Sequence, residues 1–284
     1  MNKQMRKKQL ERRSQIIVRT TFLIIIALML IISVPHLFTK KYKYRNKGVN
    51  SYHKAEYAQA IEYFDDALSC KQWFSKEVDI DILMYKADCH IRLNQFHDAY
   101  DAYCRILSDY NDKYYNSDSI KFLSNLSLCL ESYSNGNYGS NAAVFAQAVE
   151  KGYTEMSLYA ANCYEKNGDY ENMITYYDIY TGIYGTSGKI AYKYAAYYMQ
   201  IEDYNKALSY IESHLDINDE YTDDLLYLRI MCYSKLQNYE KAFSLAEEYI
   251  AKYPGDTAGK EIYDFLYTRV NVDTEVVHDI YNLN

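Results

Sequence analysis

The chain has 284 residues, 49% of them hydrophobic, with only 10 glycines and 2 prolines. That permits a sizeable core and disfavours β-sandwiches, collagen-like segments and disordered linkers. The net charge of −7 is split unevenly, with 12 Lys and Arg against one acid (Glu11) up to residue 47 and 19 against 37 beyond it; so acidic a main part argues against nucleic-acid binding, which needs a basic face to displace counterions.

Residues 1–19 form a basic N-terminal tail. Thr20 to Phe38 then read TTFLIIIALMLIISVPHLF, nineteen residues without a formal charge. As a helix at about 1.5 Å per residue this segment covers roughly 28 Å, close to the hydrocarbon thickness of a bilayer. It is apolar on every face from Leu23 to Ile32, whereas a buried core helix would show a polar stripe. A cleaved signal peptide has a shorter apolar region followed by small residues at the cleavage site. Here Pro35, His36, Leu37 and Phe38 follow instead. Residues 20–38 therefore predict an uncleaved transmembrane signal-anchor helix.

The flanking charges tie, with six Lys or Arg in residues 5–19 and six in residues 40–54. A short basic tail translocates unfavourably, while a long C-terminal domain crosses largely regardless of its charge. These arguments favour the N-terminus inside and the rest of the chain outside. The basic juxtamembrane segment 39–47 runs into the first element of the next region and is expected at headgroup level, against anionic lipid.

From residue 57 to residue 242 an aromatic anchor is followed three residues later by a small residue and then by a bulky one. The clearest copies are Tyr57–Ala60–Phe64–Ala67, Phe96–Ala99–Tyr103 and Tyr204–Ala207–Ile211, with Tyr239–Ala242 closing the series. Weaker copies start at Tyr138 and Tyr170, where Asn141 and Met173 replace the small residue. Self-similarity at about 34 residues marks a solenoid of helix-turn-helix units. Each unit places one helix before the anchor and one after it. Ala60, Phe64 and Ala67 share one helical face, and Gly48 lets the paired helix approach. The turn triplets AEY, NQF, GNY, GDY, EDY and QNY repeat one polar-then-aromatic logic, and the Asn or Asp in all but AEY tolerates the left-handed conformations that end helices. Longer early spacings leave loops near Lys71–Asp79, with Trp73, and near Ser108–Ser119, with Tyr110, Tyr114 and Tyr115.

Gly48, Tyr57, Ala60, Phe64 and Ala67 in the first copy, with Tyr233, Tyr239, Ala242 and the closing Lys252–Asp256 in the last, resemble tetratricopeptide repeats. The resemblance covers residues 42–256 in about six units. It implies an all-α, right-handed helix-turn-helix solenoid, here preceded by the single transmembrane helix. Residues 257–268 predict an amphipathic helix capping the last repeat, and 269–284 a C-terminal tail that frays.

No phosphate-binding, dinucleotide-binding, zinc-protease or nucleophile-elbow motif is present, and no pair of the six histidines has metal-ligand spacing with a third ligand nearby. No catalytic residue, metal or cofactor is expected. The six cysteines form no CxxC cluster, and Cys89, Cys163 and Cys232 recur seven residues before an anchor. That recurrence places them in buried first helices, unpaired.

The resemblance implies that first helices line an inner groove for a protein partner. Its positions would be Tyr52, Met84, Asp88, Leu126, Leu130, Tyr133, Leu158, Asn162, Tyr192, Met199, Tyr227 and Met231. These are apolar, aromatic and Met-rich, which suits a hydrophobic or amphipathic peptide or helix; some of them could equally pack between adjacent repeats. The expected function is a membrane-tethered scaffold, with self-association through the terminal helix as a possibility. The alternative is a cell-envelope carbohydrate or wall-binding protein stacking sugars on exposed members of its 36 tyrosines.

Overall fold

The computed structural model describes residues 15, 18–27, 39–72 and 75–281, with side chains to residue 271. All regular structure among them is helical, so the all-α solenoid expectation holds. Residues 18–27 form a helix, α1, exposed along its length. Among the described residues no helix is long and apolar enough to cross a membrane. The expected span Thr20–Phe38 is described only as far as residue 27, and residues 28–38, like Trp73, lie outside the described residues.

Two compact units follow the order of the chain, residues 1–137 and 138–284. The first contains α2 (Lys40–His53), α3 (Tyr57–Ser69), α4 (Lys76–Arg92), α5 (Phe96–Asp109), a 3-10 turn (Asp112–Tyr114) and α6 (Ser117–Ser134). The second contains α7 (Asn141–Glu150), α8 (Met156–Lys166), α9 (Tyr170–Tyr184), α10 (Gly188–Gln200), α11 (Tyr204–Glu212), α12 (Thr222–Lys235), α13 (Tyr239–Lys252) and α14 (Thr257–Tyr281). Within each unit successive helices pack on one another. The first helices of adjacent repeats also touch, α2 on α4 and α10 on α12.

One backbone device turns every first helix into its second. Ala55, Asn94, Gly136, Gly168, Glu202 and Gln237 all have positive φ, and each is the first residue of one of the six triplets. The following N–H in each case reaches back to a carbonyl five residues earlier, Glu56 to Ser51 and Asp203 to Tyr198 among them, which closes a Schellman motif. The left-handed residue is thus not the Asn or Asp that the triplets suggest, apart from Asn94. Asp169, Asp203 and Asn238 cap the next helix instead, accepting from the backbone N–H groups of Asn172, Lys206 and Lys241.

Tyr57, Phe96, Tyr170, Tyr204 and Tyr239 each begin a second helix. Ala60, Phe64 and Ala67 are fully buried, and a Cβ on Gly48 would fall 2.5 Å from Phe64 Cε1, so glycine is required for this close approach. The third copy shifts register. Tyr138 precedes α7, which begins at a buried Asn141. In the fourth copy Met173 is buried in one cluster with the small Ala161.

The basic run near residue 40 is helical and partly engaged in ion pairs. It is the first turns of α2. The Lys41 ammonium is 3% exposed and bonds Asp79 and Ser75, while Arg45 pairs with Asp81 at 2.7 Å. Lys47 lies over the rings of Tyr44 and Tyr63. At the other end α14 runs to Tyr281 rather than stopping at 268; neither Gly nor Pro interrupts the sequence between. None of the six cysteines forms a disulfide, and Cys89, Cys163 and Cys232 are fully buried as their shared position implies.

Candidate functional site

The first-helix positions fall into two sets. In the first unit Tyr52 and Asp88 come together from α2 and α4, the phenol donating to the carboxylate. Arg92 lies 3.5 Å from the same oxygen. Burial first, and Asp88 second, push the Tyr52 phenol up to about 12. Its ring also meets Tyr57 and Tyr85 edge-on, so this cluster ties one repeat to the next. Met84 is half-buried against the cluster of Leu83, Ala87 and Tyr103. Leu126 and Leu130 are 4% and 2% exposed. They cannot offer contact area to a partner, because α6 buries a broad face that also includes Ile120, Ser124, Ser127 and Cys129. Tyr133, one turn on, is half-buried.

In the second unit Leu158 and Asn162 of α8 line a cavity of about 230 Å³ with Tyr177, Tyr180, Tyr184 and Lys189. The Tyr177 phenol donates to Asn162 Oδ1 at 2.9 Å. Tyr192 meets the Tyr221 ring at 6.0 Å, and Tyr227 meets Tyr249 at 6.2 Å. Met199 Sδ lies 3.1 Å from Cys232 Sγ, whose thiol burial pushes up to about 12. Leu158, Asn162, Tyr192, Met199, Tyr227 and Met231 are all half-buried. They combine packing between repeats with residual exposed surface.

Tyrosine faces are largely occupied by other tyrosines. Tyr194, Tyr210 and Tyr198 stack nearly parallel, with centroid separations of 4.2 and 5.5 Å, and Tyr164 stacks on Tyr176. Among the described residues only Tyr170, Tyr184 and Tyr267 are exposed. The tyrosine excess is therefore chiefly a packing feature. Burial, with Asp178 as acceptor, raises the Tyr194 phenol strongly.

A larger cleft, of about 530 Å³, opens in the first unit among α3, α4 and α5. Its walls include Ile61, Asp65, Leu83, Lys86, His90, Asp98, Asp101 and Arg105. None of these was among the expected site residues. At 3.6 residues per turn Lys86 and His90 stand about 200° around α4 from Met84 and Asp88, so the cleft is separate from the first-helix row. The only linear trace of it is the Asp98–Asp101–Arg105 spacing on α5. The same spacing reads as an ordinary solvated helix face.

Comparison with known proteins supports the repeat reading. A tetratricopeptide-repeat family model matches residues 155–187 and 224–256. No curated protein matches the chain. Among solved structures, a signal-transduction ATPase with a tetratricopeptide-repeat sensor from Pyrococcus horikoshii aligns at 18% identity and TM-score 0.46. The alignment covers 87% of this chain and 42% of that one. The type IV pilus biogenesis factor PilW aligns at 17% identity over 78% of this chain and 97% of its own, with TM-score 0.43. A tetratricopeptide-repeat protein from Parabacteroides merdae aligns at 16% identity over 92% of this chain and 98% of its own, with TM-score 0.39.

Proposed function

We propose that the chain, which a tetratricopeptide-repeat family model matches at residues 155–187 and 224–256, is a membrane-tethered scaffold holding a hydrophobic or amphipathic segment of a protein partner on its first helices, in keeping with the interaction scaffolding that such repeats generally provide. The observation that carries the reading is the half-buried apolar and aromatic row of the second unit, Leu158, Tyr192, Met199, Tyr227 and Met231. Such side chains are ordered by neighbouring repeats yet keep area for a ligand, and Met and Tyr adapt to varied apolar surfaces. In the first unit Met84 and Tyr133 serve in the same way, and Tyr52 with Asp88 positions the helices. Leu126 and Leu130 support from the core.

The tether rests on sequence alone, on the uncharged run Thr20–Phe38 beside a basic tail. The same argument favours the repeats on the outer side of the membrane. The crowded tyrosine faces do not favour carbohydrate stacking.

A photo-crosslinking amino acid introduced singly at Tyr192, Met231 or the exposed second-helix position Asn205 tests the surface in intact membranes. One discrete crosslinked product from Tyr192 and Met231, absent from Asn205, is the expected result. Equal yields at all three positions would refute the assignment. An epitope after Asn284 that proteases remove from unlysed cells supports the outside orientation, and protection until lysis overturns it.

A further inference from the structure

The cations of α2 divide between two faces. Lys41 and Arg45 turn inward and are spent on Asp79 and Asp81 of α4. Lys40, Lys43 and Lys47 are exposed, and so is Lys54 at the C-cap. At 100° per residue these four lie within about 60° of one another, on the side of the helix away from Lys41, Arg45 and Gly48. The ion pairs formed by lysine and arginine among the described residues leave all four out. No Asp or Glu stands between Thr39 and Ala55, in a chain that is otherwise acidic beyond residue 47. On α3 the exposed Glu62 and Asp66 flank Tyr63 in sequence, and neither pairs with a lysine of this stripe. Lys47 instead lies over the half-buried rings of Tyr44 and Tyr63, at 5.8 and 5.2 Å.

Two further observations name what this stripe meets. The uncharged run Thr20–Phe38 ends immediately before Thr39, the residue that caps α2. Thr39 is extended, at φ −71° and ψ 157°, so α2 starts afresh there and does not prolong a preceding helix. We infer that α2 lies along an anionic phospholipid surface, its axis in the membrane plane, with Lys40, Lys43, Lys47 and Lys54 on the headgroups and the chain bending at Thr39. Lysine stems and tyrosine rings suit that boundary, where the tip is wet and the body apolar. The geometry separates this arrangement from an upright one. Lys40 and Lys54 stand about 21 Å apart along the axis. If α2 stood upright, Lys54 would therefore be lifted beyond the roughly 10 Å over which lipid charge is felt. The inference rests on the tether of the scaffold reading and adds how the first repeat is seated on the membrane.

The test reconstitutes the full chain into vesicles of phosphatidylcholine, or of an equal mixture with phosphatidylglycerol, and treats them with a membrane-impermeant amine-acetylating reagent. Peptide mass gives the acetylation of each lysine relative to the exposed Lys241. Lys40 and Lys43 are near the bilayer in either arrangement, so Lys54 decides. Its relative acetylation should fall about threefold in the anionic vesicles, and recover in about 0.5 M salt. With Lys40→Gln, Lys43→Gln and Lys47→Gln together, all at exposed positions outside any ion pair, Lys54 should be acetylated equally in both vesicles. An unchanged circular dichroism spectrum checks that this variant is folded. Equal acetylation of Lys54 in the parent chain overturns the inference and leaves the stripe to an acidic protein surface. Protection that persists in the variant overturns it as well. Release of the chain from both vesicles by alkaline carbonate is a separate failure, which removes the tether and this inference together.

Discussion

The six Schellman turns predict a change of sign under opposite substitutions in one unit. Gly168 and Glu202 occupy the same turn position in adjacent repeats, at φ of 76° and 62°. A Cβ in the left-handed region costs about 1–2 kcal/mol, whereas glycine loses about 0.4–1 kcal/mol through the freedom it gives the unfolded chain. Nothing lies within 4 Å of a Cβ built on Gly168, so no packing change masks the backbone effect there. Gly168→Ala should therefore destabilise the second unit by about 0.5–1 kcal/mol, and Glu202→Gly should stabilise it by the same amount. At about 2–4 °C per kcal/mol for a domain near this size, the midpoints should move about 1–4 °C in opposite directions. The double variant should return close to the parent, since separated sites add. Thermal melts of the full chain followed by circular dichroism at 222 nm read all three. Shifts of the same sign would show that the turn backbone does not control stability here.

Three further outcomes follow from side-chain contacts. Asp79→Ala leaves the Lys41 ammonium buried without its carboxylate, with only the Ser75 hydroxyl to accept from it, and should cost about 3 kcal/mol in urea unfolding, and Lys41→Met in the same chain should restore part of that loss. Alkylation by iodoacetamide at pH 8 should label the partly exposed Cys70 and Cys104 first and Cys232 last, because burial pushes its thiol up to about 12; early labelling at Cys232, read by peptide mass, would contradict the packing. Hydrogen bonds from His214 and from the Tyr221 and Gly188 backbones hold the Asp219 carboxyl below its ordinary value. A depressed folded pKa contributes stability that is present above the unfolded value of about 3.9 and lost as pH falls through the folded one. The melting midpoint should therefore drop below about pH 4, and less steeply in Asp219→Asn.

The repeat was legible because it is periodic and local. Gly48, Ala60 and Phe64 declare a close helix pair through size alone, and that contact is present. The left-handed residue was harder to place, since Ala55, Glu202 and Gln237 have no intrinsic preference for positive φ and adopt it only because the paired helices impose the turn. The charges at Lys41 and Arg45 look like a membrane-proximal run in one dimension. Their partners, Asp79 and Asp81, stand more than thirty residues away in sequence and meet them only when α2 lies on α4. Register mapping named the positions from Leu158 to Met231 together with Leu126 and Leu130, but it could not separate the half-buried ones from the two that are enclosed. That distinction depends on how much of α6 its neighbour covers. The cleft beside His90 is assembled from three helices, and its one linear trace, Asp98–Asp101–Arg105, reads as a solvated helix face.

The two ion pairs that fasten α2 to α4 also define how the molecule would answer a pull. The chain enters the repeats at Thr39, one residue before α2. Tension arriving there meets a helix gripped along its side by the Lys41–Asp79 and Arg45–Asp81 pairs and by Gly48 seated on Phe64. Displacing α2 along its axis strains these contacts in parallel, whereas peeling it away would break them one after another. A force directed along the helix would therefore load α4 of the second repeat through the two ion pairs as well as α3 of the first through Gly48 and Phe64.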